Sequence, residues 1–270
     1  MSGFDLIISP DEEEAEAAEI FVDGTVGGHP YRFLLDTGAA RTRLAFDAYT
    51  ATFPCLEQHS SSGVFAASTE EVIQVPSIEL GPLTTTACLV VRGAAQHPDR
   101  RHLIGMDLLK EHCCHFVFDA QRVEVDPEEA SAFSGSFQAL LLDRAFHPYV
   151  EVQFEALTAQ AVWDSGADLT IVDLNLVKNQ PALFQVADSS RGTDATGAAQ
   201  ETPMFLMAAT TIGGVAFPPQ KVAGVDLTPV NATLEVPMDL ILGYNTLRKA
   251  NWLLDFPRQR WAISRVISMK

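Results

Sequence analysis

Two short segments of the sequence each carry an aspartate in a setting that could perform acid–base chemistry. They read LLDTGA (Leu34–Ala39) and VWDSGA (Val162–Ala167), so Asp36 and Asp164 each follow an apolar strand and precede a hydroxyl residue and a glycine. An apolar strand delivers the carboxyl group to a buried turn, where burial and nearby charge change its pKa. Glycine leaves room for a tight turn whose N–H can face the carboxylate. One copy alone would be weak evidence, because Asp-Thr-Gly is an ordinary turn composition.

The surroundings of the two aspartates also match each other. In each half, an apolar strand enters the Asp turn, a polar hairpin containing glycine follows, and an Ile/Leu-Gly element then leads to a short helix. The matching segments are Tyr31–Leu44 with Thr158–Val172, Ser61–Gly81 with Arg191–Gly214, and His102–Val125 with Leu240–Ile263. Because the three matches occur in the same order, the sequence predicts an internal duplication.

A duplicated chain could bring the two carboxyl groups together. If the halves pack about a pseudo-twofold axis, the equivalent turns meet on that axis and Asp36 faces Asp164. Two carboxylates that are so close cannot both ionise easily, so they share one proton, and one acts as an acid while the other acts as a base. Such a pair can hold a water molecule, remove its proton and protonate a leaving group. This is a hydrolase arrangement that needs neither a metal nor a covalent intermediate.

Short strands dominate the predicted secondary structure. Alternating or short apolar runs, separated by Gly, Pro and Asp, predict strands at Glu19–Val26, Tyr31–Leu35, Glu71–Leu80, Thr85–Val91, Tyr149–Phe154, Gln160–Trp163, Pro203–Ile212 and Trp261–Val266. Two short helices are predicted at Asp107–His112 and Asn245–Ala250. Strands at this spacing favour an all-β fold over βαβ units.

The pattern also predicts how the chain divides. We expect an N-terminal lobe at residues 1–125 that carries Asp36 and a C-terminal lobe at residues 148–270 that carries Asp164. Between them, Pro, acidic residues and Ser/Gly interrupt the strand pattern, so residues 126–147 are predicted to be the linker.

At these residues the chain resembles the retropepsin-like aspartic proteases of the acid protease superfamily. The resemblance rests on the two Asp segments together with LIGMDLL (Leu103–Leu109) and LILGYNTL (Leu240–Leu247), and it covers both halves. It implies two small closed barrels related by a pseudo-twofold axis, with a central cleft. Retropepsins are usually homodimers with one Asp-Thr-Gly per chain, whereas this single chain has one Asp-Thr-Gly and one Asp-Ser-Gly, an arrangement similar to that of the pepsin-like enzymes.

The resemblance implies the activity of an aspartic endopeptidase that acts on an extended polypeptide without a cofactor or a metal. It assigns roles to three matched pairs: the catalytic dyad Asp36 and Asp164, the reciprocally hydrogen-bonded Thr37 and Ser165, and the turn glycines Gly38 and Gly166. The hairpins at Ser60–Gln74 and Asp188–Thr202 would be two flaps over the cleft, although neither has the glycine-rich tip that is common in viral enzymes.

Alanine follows the glycine in both motifs, at Ala39 and Ala167. A hydroxyl residue there could donate a hydrogen bond to the outer carboxylate oxygen. Donors to an ionised carboxylate lower its pKa, so their absence leaves the pKa values of the dyad higher. We therefore expect activity at mildly acidic to neutral pH.

The composition excludes several classes of partner. The 270 residues include 35 Asp plus Glu against 18 Lys plus Arg, a formal charge of −17, which works against binding a phosphate backbone. No apolar run approaches the ~18–20 residues that cross a bilayer, and no basic leader precedes an apolar stretch at the N-terminus. We expect a cytoplasmic monomer with four reduced cysteines and no nucleic-acid or membrane partner.

Three other features have competing explanations. The run His112-Cys113-Cys114-His115 has the residue types of a zinc site, but neighbouring residues on a strand point to opposite faces, so all four cannot converge. The acidic run Asp11–Glu19 is more typical of a solvated, partly disordered segment than of a binding tail. Trp163 fits a pocket wall and a core position equally well.

The alternative to an enzyme is a binding module that keeps the protease fold but does not cut. A module of that kind has no reason to retain both acids, both hydroxyls and both glycines. All six are present here, which favours an enzyme.

Overall fold

The computed structural model describes residues 2–12, 14–62, 67–94, 101–128, 133–193 and 199–267. Most of this part of the chain lies in strands, and the prediction of an all-β fold of the acid-protease type is confirmed. We use "first half" for the described residues up to 128 and "second half" for those from 133 onward.

The strands of the first half are β1 (Gly3–Asp5), β2 (Ile7–Pro10), β3 (Ala18–Val26), β4 (His29–Leu35), β5 (Arg43–Leu44), β6 (Glu57–Ser62), β7 (Ala67–Leu80), β8 (Leu83–Arg92), β9 (Leu103–Ile104), β10 (Cys113–Val117) and β11 (Arg122–Val125). Those of the second half are β12 (Gln138–Ala139), β13 (Leu141–Leu142), β14 (Pro148–Gln153), β15 (Thr158–Trp163), β16 (Ile171–Asp173), β17 (Phe184–Thr193), β18 (Ala199–Met207), β19 (Thr210–Ile212), β20 (Val215–Phe217), β21 (Gln220–Val225), β22 (Leu240–Leu242), β23 (Ala250–Asp255) and β24 (Arg260–Val266).

The helices are short. The α-helices are α1 (Met106–Leu109), α2 (Leu174–Asn179), α3 (Thr228–Asn231) and α4 (Tyr244–Leu247), and single 3-10 turns occur at Thr50–Thr52, Phe118–Ala120 and Pro181–Leu183. Within the described residues, no helix has the length and apolar character needed to cross a membrane. Helices were predicted at Asp107–His112 and Asn245–Ala250, but α1 and α4 begin and end earlier. In both segments the helix begins immediately after the Ile/Leu-Gly element, and a strand begins a few residues after the helix ends.

The first half forms a closed path of strands. The order is β3-β4-β9-β5-β8-β7, and β7 pairs back onto β3 through Thr25↔Glu79 and Val26↔Ile78. Strand β4 runs parallel to β9, which in turn is antiparallel to β5. The strand that leads to Asp36 is therefore held inside the sheet by the Ile-Gly element of the same half.

The second half uses the same pairing scheme. Strand β15 is parallel to β22, β22 is antiparallel to β16, and β16 is parallel to β21. Strand β14 pairs with β19 through Val152↔Ile212, as β3 pairs with β7 in the first half. The single strand predicted at Pro203–Ile212 is interrupted between β18 and β19, so the long strand β7 corresponds to two shorter ones here.

A third sheet joins the two halves. Its order is β1-β11-β10-β23-β24-β12, and its central contact is the antiparallel pair β10–β23. Strands β12 and β13 lie within residues 126–147, the predicted linker, and pair with β24 and β14. The chain that connects the halves is thus partly built into the sheets on either side of it.

Aromatic side chains fill the core beside this shared sheet. Phe116 of the first half lies 4.6 Å from Trp163, measured between ring centroids, and Trp163 lies 6.1 Å from Trp252. Trp163 has no exposed surface, so of its two expected positions it occupies the core. Because aromatic pairs at these separations bury large apolar surfaces, the shared core holds the two halves in a fixed relation.

Candidate active site

The two Asp turns sit at the ends of equivalent strands. The backbone N–H of Asp36 donates to the carbonyl of Ile104 at 2.9 Å, and that of Asp164 donates to the carbonyl of Leu242 at 3.1 Å. In each half, the apolar strand and the Ile/Leu-Gly strand run in parallel, so they deliver the aspartate to the same depth. The sequence folds this way because the end of each strand next to the aspartate, and the whole of each Ile/Leu-Gly strand, is apolar and buried.

A second layer of hydrogen bonds fixes each turn from behind. In the first half, the Asp107 carboxylate accepts from the N–H of Thr42 at 2.9 Å and from its hydroxyl at 2.7 Å. In the second half, the Asn245 side-chain oxygen accepts from the N–H and the hydroxyl of Thr170, both at 2.8 Å. The same interaction is thus made by a carboxylate in one half and an amide in the other.

The two turns are interlocked by their hydroxyl residues. The Thr37 hydroxyl donates to the carbonyl of Trp163 at 2.8 Å and accepts from the N–H of Ser165 at 3.0 Å. The Ser165 hydroxyl donates to the carbonyl of Leu35 at 2.7 Å and accepts from the N–H of Thr37 at 3.2 Å. Both side chains are buried. These reciprocal bonds tie the end of each apolar strand to the turn of the opposite half.

The carboxyl groups of Asp36 and Asp164 are close enough to hydrogen-bond to each other. The Oδ1 atom of Asp164 also accepts from the N–H of Gly38 at 3.1 Å and from the N–H of Gly166 at 2.8 Å. A side chain at either glycine would collide with the opposite aspartate. A Cβ on Gly38 would lie 2.6 Å from Asp164 Oδ2, and a Cβ on Gly166 would lie 2.5 Å from Asp36 Cγ.

The pKa of Asp36 is raised well above that of an ordinary aspartate. Burial is the main cause, and the charge of Asp164 raises the pKa further. The Arg43 guanidinium and the backbone N–H groups of Gly38 and Ala39 oppose the shift without cancelling it. The folded protein therefore keeps a proton on this pair over a pH range where free aspartate is ionised.

The pKa of Asp164 is raised as well, again because of burial. The backbone N–H groups of Gly166 and Gly38, the charge of His147 and the hydrogen bond from Asp36 all favour its ionised form and limit the shift. Each carboxyl group thus has two backbone N–H groups and one basic side chain that oppose the shift, but different residues supply them. A pair with one proton and unequal surroundings can supply an acid and a base in the same reaction.

The structure brings all six predicted site residues into this single cluster. It also adds two basic side chains that the sequence did not indicate, Arg43 near Asp36 and His147 near Asp164. Each is paired with a second carboxylate: Arg43 Nε lies 3.0 Å from Glu70, and His147 Nδ1 lies 2.7 Å from Asp143. No local motif marks these residues, because the contacts are made across strands and turns.

The other predicted features lie elsewhere. Cys113 and Cys114 are buried, His112 pairs with Asp126 and His115 with Glu124. No group of His, Cys, Asp and Glu with metal-binding geometry occurs among the residues that the structure describes.

The two predicted flaps coincide with antiparallel hairpins. Ser60–Gln74 spans most of the β6–β7 hairpin, and Asp188–Thr202 falls in the β17–β18 hairpin. The tips of both hairpins, residues 63–66 and 194–198, lie outside the described residues.

Comparison with known protein families agrees with an aspartyl-protease-like site in the first half. Residues 22–111 match the family model described as gag-polyprotein putative aspartyl protease, and this range includes Asp36, Thr37 and Gly38. The match supports a retropepsin-like aspartyl protease family and a protease-like function. No curated protein matches the chain.

Proposed function

We propose that this protein is an aspartic endopeptidase in which Asp36 and Asp164 activate one water molecule between them. The observation that carries the proposal is that the two carboxyl groups, one from each half, meet where the turns interlock, with each aspartate packed against the glycine of the opposite turn. Both pKa values are raised, so the pair would keep a shared proton under mildly acidic to neutral conditions.

The proposed reaction needs only these two groups and water. The ionised carboxylate takes a proton from the water, whose oxygen attacks the carbonyl carbon of the peptide bond. The proton already on the pair passes to the carbonyl oxygen, giving a tetrahedral diol. The C–N bond then breaks: the proton taken from water is delivered to the leaving nitrogen, and one diol hydroxyl returns its proton to the other carboxylate as the C=O bond re-forms.

The surrounding residues support this reaction by holding the pair still. Thr37 and Ser165 fix the turns relative to each other, because each hydroxyl both donates and accepts across the contact. Gly38 and Gly166 leave the space in which the carboxyls meet. Precise placement of reacting groups accounts for a large part of enzymatic acceleration.

An extended polypeptide is the proposed substrate. We infer that the chain arose by internal duplication and works as a monomer, since one chain would supply both aspartates, and that it acts in the cytoplasm. The β6–β7 and β17–β18 hairpins would cover the bound peptide as flaps and pair with its backbone. Such binding reads backbone groups with hydrogen bonds and alternate side chains with pockets.

The alternative is a protease-fold module that binds peptides without cleaving them. Incubation with denatured casein between pH 4 and pH 7.5, with mass spectrometry of the products, separates the two. An endopeptidase should generate new internal chain ends, and pepstatin should suppress them. If casein is bound but stays intact at every pH, the binding module is correct.

The pH dependence offers a second check on the same reaction. Because both carboxyl groups have raised pKa values, the rate should be highest at mildly acidic to neutral pH. A maximum below about pH 3, where such a pair would be fully protonated, would contradict the proposed mechanism.

A further inference from the structure

Two equivalent rows of residues run across the strands beside the Asp turns. In the first half, strand pairing aligns one residue each from β4, β9, β5, β8 and β7: Leu34, Leu103, Arg43, Val91 and Val72. In the second half, it aligns their equivalents from β15, β22, β16, β21 and β18: Val162, Ile241, Ile171, Ala223 and Met204. Residues directly opposite each other on paired strands project to the same face of a sheet. We call these sets the first-half row and the second-half row.

Both rows lie on the side of the sheet from which the two aspartates project. Leu34 and Val162 each precede the aspartate of their half by two residues, and side chains two apart on a strand share a face. The intervening residues, Leu35 and Trp163, project to the opposite face and belong to the main core, whereas every residue of the two rows, all within the described chain, lies outside that core cluster. The rows therefore flank the dyad, on the side where the proposed substrate would cross it.

The two rows differ in chemistry at one position. Arg43 and Ile171 each stand seven residues after the aspartate of their half, and they occupy the same place in the row. Every other residue of both rows is apolar. In the second half, Ile171 packs with Val162 and Ile241 in an apolar cluster that includes Met238. The second-half row is therefore apolar throughout, whereas the first-half row has a guanidinium at its centre.

A buried carboxylate holds the Arg43 guanidinium. Glu70 precedes Val72 of the first-half row by two residues on β7, so its side chain projects to the same face. Arg43 Nε lies 3.0 Å from Glu70 Oε1, and the exposed fractions of the two side chains are 11% and 1%. What remains accessible of this pair therefore belongs mainly to Arg43. The residue equivalent to Glu70 on β18 is Thr202, which is buried as well.

The strands do not need this ion pair in order to form. Taking two charges out of water costs about as much as their attraction returns, so a buried ion pair is worth no more than well-packed apolar side chains of similar volume. The second half makes the same pairings with Ile171 and Thr202 in place of Arg43 and Glu70. A purely structural role would apply equally to both halves. The difference between the rows therefore indicates a role in what the cleft binds.

We propose that Arg43 is a specificity-determining residue: it favours a substrate side chain with a neutral oxygen acceptor, Asn or Gln, on the first-half row, while the second-half row favours an apolar side chain. This inference rests on the proposed function. A guanidinium has only hydrogen-bond donors, so a side chain that contacts it must supply an acceptor. A substrate carboxylate would bring a further negative charge next to Glu70 and the dyad, whereas an amide oxygen brings none. A large apolar side chain would remove water from the guanidinium and return no hydrogen bond.

A library of peptides randomised on both sides of a cleavable bond tests the inference, with the products sequenced by mass spectrometry. Because the rows are equivalent, substrate side chains at equal distances on either side of the cleaved bond should face them. Wild type should select Asn and Gln at one position and Leu, Ile or Val at the position equally far on the other side. For two peptides that differ only at the first of these positions, kcat/KM should be about 10-fold higher with Gln than with Leu, the effect of one hydrogen bond to a charged group.

The matched variant gives the first half the residues of the second. Arg43→Ile with Glu70→Thr removes the guanidinium without leaving a buried carboxylate unpaired, and it should abolish the preference for Gln over Leu. Arg32→Ile with Asp23→Thr is the control, because it removes an exposed arginine–carboxylate pair from β4 and β3, and it should leave the profile unchanged. Apolar preferences on both sides in wild type, or an unchanged profile in the folded Arg43→Ile with Glu70→Thr protein, would overturn the inference while the proposed function stands. So would a preference for Glu over Gln.

Two further measurements decide the inference if that variant does not fold or if no peptide is cut. The reciprocal change, Ile171→Arg with Thr202→Glu, should make the profile select Asn or Gln on both sides, and a second side that stays apolar in the folded protein would count against the inference. Binding of fluorescent peptides to Asp164→Asn compares Gln with Leu at each position without cleavage. If the wild type cuts no peptide, the proposed function fails; the inference then holds if one Gln peptide binds about 10-fold more tightly than its Leu counterpart, and fails if none does.

Discussion

At the scale of single residues, the contact between the carboxyl groups depends on the absence of two side chains. Gly38 and Gly166 each face the aspartate of the opposite half, at distances where no Cβ could be placed without displacing it. Each glycine also donates its N–H to Asp164. Glycine is therefore required here for close approach between the halves.

Gly38→Ala should silence the enzyme with little loss of fold. The new methyl group would lie 2.6 Å from Asp164 Oδ2, so the carboxyl must move by a fraction of an ångström or more. Displacements of that size in a catalytic group reduce rates by about 100-fold. The measurement is kcat/KM with circular dichroism as the folding control. Wild-type activity in a folded variant would mean that the carboxyls need not be held in this contact.

Asp36→Asn tests what it costs to ionise the pair. The pKa of Asp36 is raised in the folded protein. The protonated Asp36 side chain therefore contributes fully to the free energy of unfolding below about pH 4, and this contribution is lost as pH rises toward the raised pKa. An amide has no charge to bury. Thermal unfolding should therefore show the wild type weakening between pH 4 and pH 8 more than the variant, which should be more stable by about 1–3 kcal/mol near pH 7.5.

Parallel stability curves for the two proteins would contradict this account. They would mean that Asp36 ionises as readily in the folded protein as in the unfolded chain.

The sequence predicted the residues of the pair but not their neighbours. Asp36 and Asp164 stand in recognisable motifs, because the chemistry requires Asp, a hydroxyl and glycine in adjacent positions. Arg43 and His147 carry no such motif. Their proximity to the pair arises only once distant segments of the chain pack together. Local sequence does not specify such non-local contacts.

At the scale of elements, the Ile/Leu-Gly segments behind the two turns are equivalent in role but not in chemistry. Asp107 binds Thr42 in the first half, and Asn245 binds Thr170 in the second. Burial raises the pKa of Asp107, partly offset by the hydrogen bonds from Thr42. An asparagine at this position therefore satisfies the same donors without a charge.

Asp107→Asn should be tolerated for that reason. We expect kcat/KM within about twofold of wild type and a smaller loss of stability as the pH rises through the raised pKa of Asp107. Asp107→Ala, which leaves the buried N–H and hydroxyl of Thr42 unpaired, should cost about 1–3 kcal/mol. Urea unfolding of both variants makes the comparison. Equal destabilisation by Asn and Ala would contradict the equivalence of the two halves at this position.

The acidic N-terminal segment behaves differently from the expectation of a solvated run. Glu14 pairs with Lys221 of the second half at 2.6 Å, and Ala17 is buried with Leu169 and Met204. The prediction is wrong for the later part of the run, where Ala17 and Ala18 are buried and Glu14 meets a lysine, whereas Asp11 and Glu12 are exposed as expected. Composition alone does not reveal a complementary surface supplied by distant residues.

Reversing the charges at this contact tests whether the segment is docked. Glu14→Lys should destabilise the protein by about 1 kcal/mol or less, because both side chains are partly exposed. Adding Lys221→Glu should recover part of that loss, and the coupling energy is obtained from a double-mutant cycle of urea unfolding. Strictly additive effects would show that the two side chains do not interact in solution.

Part of the strand set was predictable. Apolar patterning indicated β3, β4, β7, β8, β14, β15, β18 with β19, and β24, since one face of each is buried, but it did not indicate β5, β16 or β21. The break between β18 and β19 falls in Ala208-Ala209, which has no turn signature. Helix α2 was not predicted either; it begins at Leu174 after Asp173, whose side chain accepts the N–H of Asn175. This cap was the local signal available for it.

At the scale of the whole molecule, the site exists because the halves are held together away from it. Strands β10 and β23 pair across the shared sheet, and Phe116 packs on Trp163 directly behind the second Asp turn. The repeats in the sequence predicted that two similar units would be present. They did not predict this sheet, because it is formed by pairing the end of one unit with the end of the other.

The most direct test of the central claim compares Asp36→Asn with Asp164→Asn in the casein cleavage assay. The account requires one carboxyl group from each half, so each substitution alone should reduce kcat by about 1,000-fold or more. Asp107→Asn, a buried Asp-to-Asn change outside the pair, should cleave casein at close to the wild-type rate. If either dyad variant instead retains activity comparable to wild type, the two aspartates do not act as one catalytic unit.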